Sequence, residues 1–131
     1  MGKRKTSRPP LSAAQLEIMN LVWDRGEVTV GEVHEILAGR KSVARNTVQT
    51  TLVRLEEKGW LTHRVVANAF RYTATAPRRK TLRQMVGELV DSAFGGSTEG
   101  LVMALLEERG VSKTEAQRLR ALIDESERKA R

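Results

Sequence analysis

Asn46, Thr47, Gln49 and Thr50 stand within five consecutive positions and are flanked by Arg45, Arg54 and Lys58. The amides of Asn and Gln can pair bidentately with adenine, and Thr can bond a base edge or touch a thymine methyl. Arg45, Arg54 and Lys58, together with Arg64 and Arg71 further along, suit phosphates, which position a protein on a duplex without reading its sequence. Catalysis has no comparable set of residues. The chain holds two histidines, His34 and His63, no cysteine, and aspartates only at 24, 91 and 124. No Gly-rich phosphate loop, zinc-protease motif or paired-carboxylate spacing is present. No catalytic residue, metal site or cofactor is therefore expected. His34, beside Glu32 and Glu35 on a helix, reads as a surface residue or as satisfied packing, and His63 as a hairpin residue within reach of phosphate.

The reading residues need a helix that buries one face and offers the other. From about Ala44 or Arg45 to Lys58, Val48, Leu52 and Leu55 recur at helical spacing. Asn46, Thr50 and Val53 fall opposite, with Thr47, Gln49 and Arg54 at the flanks. Gly59 is placed to end the helix, while Ser42 and Asn46 compete to cap its start. Upstream, Ser12-Ala13-Ala14-Gln15 and Thr29-Val30-Gly31-Glu32 are two capping boxes. They open helices closed by Gly26 and Gly39. Trp60–Val66 and Phe70–Ala74 are short β-branched and aromatic runs around Ala67-Asn68-Ala69, and so predict a hairpin.

From Pro77 the apolar pattern is helical throughout. Leu82, Met85, Val86 and Leu89 form one stripe, and Leu101, Val102 and Leu105 another. Leu119, Leu122 and Ile123 lie on a last helix capped at Ser112, whose charged end is expected to fray. These ten residues are the expected dimerisation surface, since surplus apolar faces on a tail are readily buried against a second copy. The expected fold is mainly α with a small β-hairpin wing. Residues 10–76 form a winged helix-turn-helix, residues 77–131 a C-terminal helical dimerisation region, and residues 1–9 a flexible basic arm.

Charge supports that division. The chain has 23 Lys and Arg against 16 Asp and Glu, a net +7. Residues 1–80 carry fifteen basic and seven acidic side chains, and residues 81–131 eight and nine. A basic front and a neutral rear suggest a polyanion-binding domain joined to an interaction domain. No apolar run approaches the roughly 18 residues of a membrane span, so no membrane partner is expected. The basic arm lacks the apolar core of a signal peptide, and the absence of cysteine suits a reducing cytoplasm. A winged helix used only for protein contact is the competing reading. The polar face of the third helix favours double-stranded DNA.

The stretch from Asn46 to Leu55, followed by Lys58-Gly59-Trp60-Leu61, resembles the recognition-helix signature of the penicillinase-repressor (BlaI/MecI/CopY-type) family. Leu11 to Trp23 is similar to that family's first helix. The Phe70-Arg71-Tyr72 wing and the Gly95-Gly96 break match in position, so the resemblance spans about residues 10–126. It implies a homodimeric repressor on a palindromic operator, controlling a resistance or stress-response gene. It also implies a regulatory peptidase that cuts an Asn-Phe bond just after the glycines. Here residues 95–102 read GGSTEGLV, without Asn-Phe. The copper-sensing branch uses C-terminal cysteine pairs, which this chain lacks.

Overall fold

Helix α1 (Ala13–Arg25) begins where Ser12 and Gln15 exchange hydrogen bonds. The Gln15 N–H donates to Ser12 Oγ (3.1 Å), and the Ser12 N–H to Gln15 Oε1 (3.0 Å). The same reciprocal pair, Thr29 with Glu32, opens α2 (Val30–Ala38). Each cap satisfies donors that the first turn leaves without partners. The computed structural model describes residues 8–130. Beyond α2 follow α3 (Arg45–Glu57), β1 (Leu61–Val66), β2 (Ala69–Ala74), α4 (Arg78–Ala93), α5 (Thr98–Glu108) and α6 (Lys113–Lys129). They form two compact units, divided between Arg83 and Gln84 within α4.

The core of the first unit is built from one face of each helix and the root of the hairpin. Met19 and Val22 of α1, Val33 of α2, and Val48, Leu52 and Leu55 of α3 are almost wholly buried, as are Val28 and Tyr72. Strands β1 and β2 pair antiparallel from Leu61↔Ala74 to Val66↔Ala69. The loop is therefore two residues long, Ala67-Asn68, both at positive φ (52° and 65°). That backbone matches the twist of a tight hairpin, and Asn tolerates it better than Ala. Val28 adds a third edge to the sheet through two bonds with Tyr72 (3.0 and 2.7 Å).

The start of α3 departs from expectation. Ala44 is its N-cap and supplies no side-chain bond, so neither Ser42 nor Asn46 caps it. Asn46 already lies inside the first turn. Its other end is closely specified. The Trp60 N–H donates to Leu55 O and the Gly59 N–H to Glu56 O, both at 2.9 Å, with Gly59 at φ +89°. This pair of bonds, with buried Trp60 beside buried Leu55, is the glycine-terminated helix stop. Trp60 also organises what precedes α1. Its indole N–H donates to Pro9 O (3.0 Å), the Arg8 guanidinium lies 5.2 Å over its ring, and Arg8 Nε donates to Gly59 O (2.9 Å). Residues 8 and 9 of the basic arm are thus tied to the first unit. Residues 1–7 lie outside the described residues.

The first turn of α4 belongs to the first unit. Arg78 bonds the Asp24 carboxylate (2.6 Å) and Asn20 O (3.0 Å) and lies 5.5 Å over the Trp23 ring. Trp23 donates to Ala76 O, and Thr81 is buried with its hydroxyl on Pro77 O. Leu82, expected on the dimerisation surface, falls in this unit.

In the second unit α5 and α6 contain no buried residue. Gly95 and Gly96, both at positive φ, turn the chain between α4 and α5, and Ser97 caps α5 through the Gly100 N–H (2.8 Å). Ser112 caps α6, which continues to Lys129 with a Glu125–Lys129 pair (3.7 Å) where fraying was expected.

Gly59→Ala should isolate the backbone requirement of the α3 stop. A Cβ there would meet only the Arg8 side chain, at an ordinary 3.9 Å, so the cost is conformational rather than steric. Urea unfolding should show a loss of about 1–2 kcal/mol. An unchanged midpoint would mean that φ at this position is not specified by the fold.

Candidate nucleic-acid interface

Burial of Val48, Leu52 and Leu55 fixes which way α3 faces, and Asn46, Thr47, Gln49, Thr50, Val53 and Arg54 are all exposed. Asn46, Gln49, Thr50, Val53, Arg54 and Glu57 line one shallow groove of about 440 Å³. Gln49 and Val53 also line a second concavity of about 410 Å³, walled by Thr29–Gly31 of the α2 start, Arg45, and Asn68–Phe70 of the wing. Three of the four reading candidates therefore converge, while Thr47 lines neither groove. Among the described residues, no other side chain engages the polar groups of Asn46, Gln49 or Thr50. Three or four exposed polar tips on a rigid helix can read base edges, because the scaffold holds them in fixed relative positions.

Five cations were expected on this surface, and the structure divides them. Arg45, Arg54 and Lys58 form no ion pair among the described residues. Arg45 lies over Gly31, where an added Cβ would sit 3.4 Å from Nη1. Arg64 and Arg71 are engaged instead. Arg64 donates from Nε and Nη2 to the two oxygens of Glu27 (2.7 and 2.9 Å), and Arg71 Nε donates to Glu27 Oε1 (3.2 Å). The hydrogen bond from Arg64, reinforced by that from Arg71 and by both positive charges, holds the Glu27 carboxyl down at about 2, although partial burial opposes this. Glu27 was not foreseen, because nothing local marks it. Its partners lie 37 and 44 residues away.

Both histidines are accounted for. His34 Nε2 lies 3.1 Å from Val43 O, which it can reach only as donor. His63, expected near phosphate, instead sets Nδ1 2.7 Å from Glu56 Oε1 and stacks on Phe70 at a centroid distance of 4.0 Å. Among the described residues no group of His, Asp and Glu could hold a metal ion, and no helix is long and apolar enough to cross a membrane.

Comparison with known proteins agrees with this geometry. The family model described as penicillinase repressor matches residues 11–125. The penicillinase repressor of Bacillus licheniformis is 26% identical over 117 residues, spanning 89% of this chain and 91% of that protein. The methicillin resistance regulatory protein MecI of Staphylococcus aureus strain N315 is 21% identical over 87% of this chain and 93% of its own. The solution structure of the DNA-binding domain of the repressor BlaI is 32% identical, with a TM-score of 0.51 over 55% of this chain and 88% of that one. Wild-type MarR from E. coli, 18% identical with a TM-score of 0.52 over 88% of this chain and 77% of that one, shares the winged-helix fold.

The Glu27 clamp has a pH signature. Because the folded carboxyl titrates near 2 rather than at its ordinary 4.5, its contribution to stability is complete above about pH 4.5 and is lost as pH falls toward 2. The side-chain carboxyl resonance of Glu27, followed by NMR, should titrate at least one unit below the exposed glutamates. Titration together with them would mean that the wing arginines do not hold it in solution.

Proposed function

The chain belongs to the penicillinase repressor family, and on that premise we propose that it binds double-stranded operator DNA as a homodimer and represses a resistance or stress-response gene in the cytoplasm. The observation that carries the reading is the face of α3, where Asn46, Gln49 and Thr50 are exposed beside Arg45, Arg54 and Lys58, none of them with a side-chain partner among the described residues. The α3 side chains read bases and the cations hold phosphates. A solved relative with this fold is the DNA-binding domain of a repressor.

Dimerisation is supported by surface that a single copy leaves wet. Val86, Leu89, Val102, Leu105, Leu122 and Ile123 are between 42% and 61% exposed. Met85 and Leu101 are half-buried, while Leu82 and Leu119 stand at 36% and 38%. Apolar area on this scale favours burial against a partner, at roughly 25 cal/mol per Å². A two-fold partner presents two α3 helices to successive major grooves, so the operator is a near-palindrome with half-sites about one helical turn apart or a multiple of it. Release follows from loosening this region. The Gly95–Ser97 turn is exposed and joins two of its helices. A regulatory peptidase would cut there at a bond other than Asn-Phe, or a different inducer acts.

Selection of bound duplexes from a randomised pool by the wild-type chain tests this reading and supplies a probe. Gln49→Ala/Thr50→Ala should cost on the order of 1–3 kcal/mol per lost base pairing on the recovered duplex, with little change on a random duplex. Equal losses on both would make these residues phosphate contacts, and failure to recover any duplex would favour a protein-contact module.

Leu122→Glu/Ile123→Glu alters side chains about 60% exposed in one copy, so the fold of the single chain should survive. Sedimentation should show a monomer at micromolar concentration, with operator affinity at least tenfold weaker, about 1.4 kcal/mol. A variant that still dimerises would exclude α6 from the interface.

A further inference from the structure

Glu27 lies in the connection between α1 and α2, one residue before the Val28–Tyr72 bridge. Successive residues of an extended chain point to opposite faces. Val28 is buried in the core, so Glu27 emerges on the outer face with Arg71 and its cross-strand neighbour Arg64. Two like charges directly opposite destabilise a hairpin. Glu27 relieves this with a fork of two bonds to Arg64 and a third bond from Arg71. Glu32 Oε2 lies 3.7 Å from Arg71 Nη2, while its Oε1 accepts the Thr29 N–H of the α2 cap. Two cations and two carboxylates therefore cancel midway along the wing. Arg45 and Arg54 of α3 and Lys58 at its C-cap form no ion pair among the described residues.

A carboxylate in fork geometry offers a guanidinium the same paired oxygens as a phosphate. We propose that Glu27 occupies the wing arginines in place of backbone phosphate and so restrains the sequence-independent part of DNA binding. The inference rests on the DNA-binding reading above. Every duplex offers the same phosphates, so cancelling wing charge lowers affinity for any duplex while leaving the base contacts of α3 in place. The Arg64 side chain is 67% exposed against 23% for Glu27, so the cation stands outermost and becomes available once the carboxylate charge is removed.

The test uses the full chain and the isosteric change Glu27→Gln, titrated over a salt series onto the recovered duplex and a random duplex of equal length. Random binding should tighten about fivefold at low salt, and its log–log salt slope should steepen by about 0.9, one further phosphate neutralised. Binding to the recovered duplex should tighten by a similar factor, leaving the ratio of the two affinities about unchanged. Glu27→Gln/Arg64→Gln, which also removes the freed cation, should return the slope to that of wild type. If Glu27→Gln is unfolded by circular dichroism, Glu27→Ala removes the same charge and is read in the same way. An unchanged slope, or weaker binding to both duplexes by a folded variant, overturns the inference. A wild-type chain with no preference for any duplex overturns the DNA reading itself, and this inference with it.

Discussion

Everything proposed for this protein depends on the burial of Val48, Leu52 and Leu55, which anchors one side of α3 to the scaffold. A helix held by three buried aliphatic side chains cannot roll without exposing them, and each is worth about 1.5–3 kcal/mol when buried. That anchoring lets the opposite face carry exposed amides and hydroxyls. The caps of α1 and α2, the glycine stop after α3 and the Trp60 anchor all serve the same end. They fix the positions of the elements against which α3 packs.

Electrostatics on this surface divide between two elements. The α3 cations are free of carboxylate partners among the described residues, whereas those of the wing share Glu27. A count of basic residues would treat the two groups alike. Their distribution gives the helix an open attraction for polyanions and gives the hairpin a neutral middle stiffened by three hydrogen bonds.

The second unit follows a different logic. Its helices α5 and α6 are regular and capped, yet no residue of either is more than partly buried within one chain. Amphipathic helices left in this condition favour assembly, since their stabilisation must come from apolar surface removed from water. Both units use α4, so the chain passes from one to the other within a helix.

Much of this architecture was legible in the residues alone, because its signals are local. Both reciprocal caps, the α3 stripe, the Gly59 stop, the hairpin and the order of elements follow from spacing within a few residues. The family resemblance follows from the same short runs. What the sequence left open were relations between distant residues and competition between neighbouring ones. Ser42 and Asn46 were equivalent cap candidates until packing began α3 at Arg45, with Ala44 as a cap lacking a side-chain bond. Arg8 and Pro9 read as part of a loose arm, and Trp60, some fifty residues away, holds them. The engagement of Arg64, Arg71 and His63 by Glu27 and Glu56 likewise required the tertiary fold. A side chain's charge is set by its type, but the partner that meets that charge is set by which elements the core brings together.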